Sequence, residues 1–263
     1  MDIRLILDFE RPTRGAQNMA IDEALLESVE EEGPALRLYA WDQPTLSLGY
    51  FQGWRDRLRH PPSSGLPTVR RSTGGGAIVH DHELTYCWVF PASLRRSADA
   101  DYAFFHGSWI TALERAGWNA HLVQTHGTAA PCGAAMAGEL SDRGPTSEEP
   151  REPFLCFQRR TAQDVVLAGY KILGSAQRRR SGAGLQHGSL ILRASPAAPE
   201  LPGLTELTGV SWTRAIAAER WLGAIGAATG WKFREVPVTA TVQRLAERIL
   251  QDRHGRTDWL TKR

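Results

Sequence analysis

Arg70-Arg71-Ser72-Thr73-Gly74-Gly75-Gly76-Ala77-Ile78-Val79-His80-Asp81 places three consecutive glycines between two β-type runs. Glycine weakens a strand on either side of it, so the run needs a reason. One reason is a backbone stripped of Cβ atoms, against which a ligand can lie and meet bare N–H groups. The other is a glycine-rich hairpin turn with exposed arginines. Both readings put the run among short strands, and residues 36–41, 45–50, 69–72, 77–80 and 84–90 read as such, divided by turn formers.

Outward from there the pattern changes to helix. In residues 18–32, Ile21, Leu25, Leu26 and Val29 recur at helical spacing before Gly33-Pro34 ends the run. Residues 102–116 repeat the pattern through Tyr102, Phe105, Trp109, Ile110 and Leu113. The stretch 126–153, rich in Gly, Ala, Pro, Ser and Glu and without an apolar period, reads as a long mobile loop. Three more strand-like runs follow at 164–168, 171–178 and 186–193, then helices near 215–228 and 242–251. Central strands with helices toward both ends predict an α+β sandwich in a single domain, residues 1–263.

Composition excludes several classes. Of 263 residues, 42% are hydrophobic, and the formal net charge is only +2, whereas dedicated nucleic-acid binders carry a strong basic excess. Asp2 and Arg4 stand where a signal peptide needs an apolar stretch, and no window suits a membrane span, so a soluble chain without membrane attachment is expected. Cys87, Cys132 and Cys156 are too few and too irregular for a disulfide framework or a tetrahedral zinc site, so no metal is expected. That usage fits a reducing cytoplasm, where a special cysteine is special for its thiol.

Four further features could carry chemistry. Gly169-Tyr170-Lys171-Ile172-Leu173-Gly174-Ser175-Ala176 sets a lysine before small residues, like a cation aimed into a space kept open; most lysines are simply solvated. His187, in Gln186-His187-Gly188-Ser189, is a polar residue in an apolar strand and by itself reads as structural. Cys156, flanked by Leu155 and Phe157, lies fifteen positions before Lys171, enough for a strand, a turn and the start of the next strand. The two side chains can therefore converge, and a neighbouring ammonium favours a nucleophilic thiolate. Arg178-Arg179-Arg180 suits a solvated hairpin tip or a docking patch for an acidic partner. Cys87 in a strand and Cys132 in the loop default to structural or incidental roles.

Taken together, Asn18-Met19-Ala20-Ile21-Asp22-Glu23, Leu38-Tyr39-Ala40-Trp41 with Pro44-Thr45-Leu46-Ser47-Leu48-Gly49, the Arg-Arg-Ser-Thr-Gly-Gly-Gly stretch, Lys171 and Gln186-His187-Gly188-Ser189 resemble the biotin/lipoate protein ligase and octanoyltransferase superfamily. The resemblance runs to Asp258-Trp259-Leu260-Thr261-Lys262-Arg263 and implies an α+β catalytic domain with a mixed β-sheet flanked by helices. It implies an acyltransferase of lipoate biosynthesis, cytoplasmic, that places an octanoyl or lipoyl group on one lysine of a target protein. Cys156 and Lys171 are the implied catalytic pair. Arg70, Arg71, Ser72, Thr73, Gly74, Gly75, Gly76, His80, Gly174, Ser175, Ala176 and His187 are the implied substrate-binding residues.

Two branches of that superfamily differ in chemistry. The cysteine-dependent octanoyltransferases take octanoate from acyl carrier protein through an enzyme thioester and use no cofactor. Lipoate-protein ligases spend ATP with Mg2+, pass through lipoyl-adenylate, and mostly carry a C-terminal accessory domain. Glu83-Leu84-Thr85-Tyr86, the Cys156-Phe157 pair at its distance from Lys171, and the chain ending just after Trp259 without room for the accessory domain are similar to the transferases. Gly76, where transferases usually carry arginine, and Gln158-Arg159-Arg160 after Cys156-Phe157 depart from them. The implied partners are octanoyl-acyl carrier protein and, as acceptors, lipoyl domains of 2-oxoacid dehydrogenase E2 subunits and glycine-cleavage H protein. The alternatives are an ATP-dependent lipoate-protein ligase and a non-catalytic acyl-binding module.

Overall fold

The computed structural model describes residues 1–123 and 152–263; the expected loop at 126–153 falls outside the described residues except for its last two. In chain order the strands are β1 (Asp2–Leu7), β2 (Ala35–Tyr39), β3 (Thr45–Leu48), β4 (Thr68–Arg70), β5 (Ile78–His80), β6 (Glu83–Phe90), β7 (Ala120–Leu122), β8 (Val165–Leu167), β9 (Tyr170–Arg180), β10 (Ala183–Ile191) and β11 (Lys232–Glu235). The helices are α1 (Gly15–Glu32), α2 (Pro61–Ser64), α3 (Ala98–Arg115), α4 (Leu204–Thr208), α5 (Arg214–Thr229), α6 (Ala240–Ile249) and α7 (Thr257–Leu260).

Eight strands form one mixed sheet in the order β11-β1-β2-β6-β10-β9-β8-β7, and β4-β3-β5 form a second, three-stranded sheet. In the large sheet β11, β1 and β2 run parallel, and every later pair is antiparallel. Strand β6 is buried along its whole length because both of its faces are covered. Leu84, Tyr86, Trp88 and Phe90 face a core completed by α3 and α5, while Cys87 and Val89 face one completed by α1 and α6. A smaller cluster packs Phe154, Leu155 and Phe157 against Leu46, Leu48 and Ala77, tying the two sheets together at one end.

The α+β expectation holds, with mixed sheets between helices. Three strands escape the sequence reading. Strand β7 is three residues long, β11 is a mostly exposed edge strand of charged residues, and β1 lies at the chain start outside the central β-rich stretch. Among the described residues no helix is long and apolar enough to cross a membrane.

Two aromatic anchors hold the α3–α5 layer. Trp109 and Trp221 stack with ring centroids 4.5 Å apart, and the Trp221 indole N–H donates to Ser108 Oγ at 2.7 Å. Truncating Trp221 to Ala opens a large cavity in that layer and should destabilise the protein by about 3–5 kcal/mol in chemical denaturation. Ile216→Ala, on the exposed side of the same helix, should stay within about 0.5 kcal/mol.

Helix α3 also carries His106, which is fully buried. Its Nδ1–H donates to the Gln163 carbonyl, so Nε2 accepts from the Ser175 hydroxyl at 2.7 Å, and Ser175 in turn accepts from the Tyr86 hydroxyl at 2.7 Å. Burial pulls the His106 pKa down from 6.5 to about 4, against a smaller opposing pull from the Gln163 carbonyl. Between these two values the unfolded chain binds a proton that the folded chain refuses, so stability falls as pH falls. The share from this residue is about 3 kcal/mol across that window. His106→Gln should flatten the stability–pH curve between pH 6.5 and 4 in urea titrations, leaving the slope that His80, also buried with a lowered pKa, contributes.

Candidate active site

The site is built where the segment after Pro153 meets the glycine run. Ala77 N donates to the Phe154 carbonyl at 3.1 Å and Cys156 N to the Ala77 carbonyl at 2.7 Å, a short parallel bridge. Cys156 is the first residue of a single 3-10 turn, Cys156–Gln158, and its side chain is half-buried while Phe157 behind it anchors in the small core. Gly76 lets the two segments touch: a Cβ there would lie 3.1 Å from the Cys156 backbone and 3.2 Å from Arg159 Nε. Gly75 has φ of +93°, in the left-handed region that favours glycine.

Lys171 enters from β9. Its side chain is 2% exposed, with Nζ 2.9 Å from Asp164 Oδ1, 3.2 Å from the Cys156 carbonyl and 3.6 Å from Cys156 Sγ. The other Asp164 oxygen accepts from Thr161 N at 2.7 Å, which fixes the carboxylate in a tight turn ahead of β8. A Cβ at Gly174 would meet Lys171 Cε at 2.7 Å, so that glycine makes room for the lysine itself.

From Cys156 a narrow cleft of about 40 Å3 runs into the molecule. Met19, Tyr39, Trp41 and Ile78 supply apolar wall, and Gly74, Gly75, Gly174, Ser175, Ala176 and Gly188 keep the remainder low. Arg71, His80, Thr85, His187 and Ser189 stand at its polar positions. A wider groove, about 770 Å3, lies between α1 and α6, but its walls hold no cysteine, histidine or lysine.

The polar positions are held by two buried chains of hydrogen bonds. Glu83 accepts from the Ser189 hydroxyl at 2.9 Å and from the Thr85 hydroxyl. Burial alone would raise its pKa, yet His80, Thr85 and Ser189 hold it below the usual carboxylate range, so it is ionised and accepts the His80 Nδ1 proton at 2.6 Å. His80 Nε2 then accepts from the Ser47 hydroxyl at 2.6 Å, burial keeps the ring neutral, and the Trp41 ring stacks on it at 3.8 Å. On the other wall Asp22, buried and held low by His187 and Arg37, faces His187 Nδ1 at 3.4 Å. His187 Nε2 accepts from the Thr73 hydroxyl at 2.7 Å.

Of the sequence candidates, the structure brings Arg71, Gly74, Gly75, His80, Cys156, Gly174, Ser175, Ala176 and His187 to the cleft, with Lys171 against Cys156. Thr73 stands behind His187, Ser72 offers its carbonyl to Arg178, and Gly76 backs Cys156, all off the cleft wall. Arg70 is not brought to the cleft wall. Its guanidinium turns away and donates to the carbonyls of Gly49, Gln52 and Leu260, clamping α7 to the loop after β3. Arg71 is also committed, to Ser47, Gly74 and Gly76 carbonyls and to Ser47 Oγ, and burial lowers its pKa to about 10. Strand alternation sends neighbouring arginines to opposite sides. Asp164 and Glu83, given no role by the sequence, emerge as the partners of Lys171 and His80.

Several known proteins resemble this chain in sequence or in fold. Over 190 residues the chain is 36% identical to the octanoyltransferase LipM of Kyrpidia tusciae, a match covering 70% of this chain and 64% of that protein. It is 34% identical over 186 residues to octanoyltransferase LipM of Carboxydothermus hydrogenoformans, covering 68% and 61%. The match thus spans less than two thirds of the length of these relatives. The fold is shared with the T. acidophilum protein Ta0514 with bound lipoic acid, at 22% identity and a TM-score of 0.75, covering 99% of this chain and 100% of that one. Lipoate-protein ligase A bound with ATP superposes with a TM-score of 0.75 at 21% identity, covering 99% of each chain. Residues 14–199 match the model of the lipoyl protein ligase A/B catalytic domain, and the chain belongs to that family.

Proposed function

We propose that this protein is a protein octanoyltransferase that uses Cys156 as nucleophile. The observation that carries this reading is the Lys171 ammonium, 3.6 Å from Cys156 Sγ at the end of an apolar cleft. The relatives named octanoyltransferase support the same acyl group.

In the first step the Cys156 sulfur, having given up its proton, attacks the carbonyl carbon of octanoyl-carrier protein. A new C–S bond forms, and the tetrahedral oxyanion collapses as the carrier thiolate leaves with the proton that Cys156 released. Thioester exchange is nearly isoenergetic, so neither ATP nor a metal is needed. In the second step the amine of the target lysine, on a lipoyl domain or glycine-cleavage H protein, attacks the S-octanoyl carbonyl. The C–N bond forms, the C–S bond breaks, and the proton leaving nitrogen returns to Cys156. Forming an amide from a thioester is downhill, which gives the sequence its direction.

Lys171 supplies the counter-charge for the sulfur when it is ionised and for the oxyanion when it forms. Asp164 keeps that ammonium in place without touching the sulfur. The cleft walls of glycine, alanine and aromatic side chains accept a straight chain, whose burial contributes about 0.8 kcal/mol per CH2.

Intact mass after mixing with octanoyl-carrier protein and no ATP should show one added octanoyl group, absent in Cys156→Ala, that passes to a lipoyl domain. Lipoate-dependent modification appearing only with ATP and Mg2+ and surviving Cys156→Ala would make the protein a ligase. Tight octanoate binding with no turnover would make it an acyl-binding module. Lys171→Met should slow formation of the octanoyl-enzyme by about 10²–10³, read by quench-flow mass spectrometry.

A further inference from the structure

Beside the cleft mouth lies a segment the mechanism leaves unused, residues 50–60. It is bonded to the stretch that carries the nucleophile. Arg59 donates to the Glu152 carbonyl at 2.7 Å and Gln52 to the Phe154 carbonyl at 3.5 Å, while His60 and Gln158 share Glu200 Oε1 at 2.9 and 3.1 Å. The Phe51 ring reaches within 3.9 Å of the Cβ position of Gly74, a cleft wall residue.

Two independent properties single this segment out. Phe51 is 72% and Leu58 60% exposed, the two most exposed large hydrophobic side chains among the described residues. Burying such groups is favourable, and two of them on one short surface segment mark a contact. The same surface is cationic. Arg55, Arg57 and Arg59 alternate along the 3-10 turn Trp54–Arg59, and Lys262 and Arg263 pack over the rings of Tyr50 and Phe51. The acids there are occupied: Asp56 caps Gly53 N, Glu152 pairs with Arg159, and Glu200 accepts from His60 and Gln158. In a chain of formal net charge +2, the groove between α1 and α6 is instead walled by Asp8, Glu10, Glu235 and Glu247 with one basic residue, Arg11.

We infer that residues 51–59 form the docking surface for the acyl donor, an acidic carrier protein that delivers its thioester on a flexible arm. The inference rests on the transferase reading above. The segment bonds directly to residues 152 and 154, and only through Glu200 to Gln158, rather than to Cys156 itself, so a partner seated there stands back from the sulfur. That distance suits a donor whose reactive carbon is at the end of a long arm and whose chain enters the cleft lengthwise. An acceptor lysine is a single side chain, so its protein must press directly on Cys156. Charge complementarity speeds encounter and is screened by salt, while the apolar pair supplies contact area.

The test compares octanoyl-acyl carrier protein with octanoyl-CoA, which has the same arm and no protein body. Arg55→Glu and Leu58→Ser change exposed side chains and should leave the thermal midpoint in place. Each should raise KM for octanoyl-acyl carrier protein by about tenfold, with kcat within about twofold and octanoyl-CoA kinetics unchanged. KM of the unaltered protein for the carrier should climb with salt, and that slope should shrink in Arg55→Glu. An unmoved carrier KM with intact octanoyl-CoA activity would overturn the docking surface and leave the transferase reading standing. A loss confined to transfer from preformed octanoyl-enzyme to a lipoyl domain would give the surface to the acceptor and overturn the proposal. No acyl-enzyme from either thioester would overturn the transferase reading, and the docking proposal with it.

Discussion

The ammonium of Lys171 is almost entirely withdrawn from water and is held between the Asp164 carboxylate, the Cys156 carbonyl and the Cys156 sulfur. Withdrawing a charge is expensive unless partners replace its hydration, and removing one partner leaves the other charge uncompensated. Much of the surrounding structure meets that requirement. Thr161 fixes the second carboxylate oxygen, Gly174 opens the space through which the lysine curls, and the Ala77 bridge brings the Cys156 carbonyl within reach. The ion pair is thus a positioning device first, because it spans two strands and a turn that have no other reason to keep a cation beside a thiol.

The same logic extends along the cleft. Each polar side chain that intrudes on an apolar slot has been given partners on its far side: Ser47 and Glu83 for His80, Thr73 and Asp22 for His187. Buried polar groups left half satisfied would favour competing arrangements, and satisfied ones fix a single shape. Arg71, by tying Ser47 to the carbonyls of Gly74 and Gly76, holds the glycine run against β3. The glycine run therefore works as a thin wall whose stiffness comes from outside it.

How far this was readable in advance depended on how local the cause was. Helix α1 announces itself through Ile21, Leu25, Leu26 and Val29, but its first turn does not, because Arg14 offers no side-chain cap. Strand β6 reads as a strand from 84 to 90, yet its membership of the sheet centre follows from pairing with β2 and β10 across long separations. Strand β11 has a mostly exposed, charged sequence and exists because β1 lies parallel to it, 230 residues away. Edge pairing of that kind leaves no periodic trace.

The identities and spacing that carry the chemistry, Cys156 and Lys171 fifteen apart and a glycine run flanked by two arginines, were determined by the sequence alone, as were the main helices and the α+β class. Only the tertiary structure decided that Arg71 braces the glycine loop while Arg70 clamps α7, that Gly174 serves the lysine, and that Asp164 and Glu83 are the hidden partners of Lys171 and His80. Periodicity is written into neighbouring residues, whereas the partner of a buried charge is chosen by sheet order and register, which depend on every strand at once.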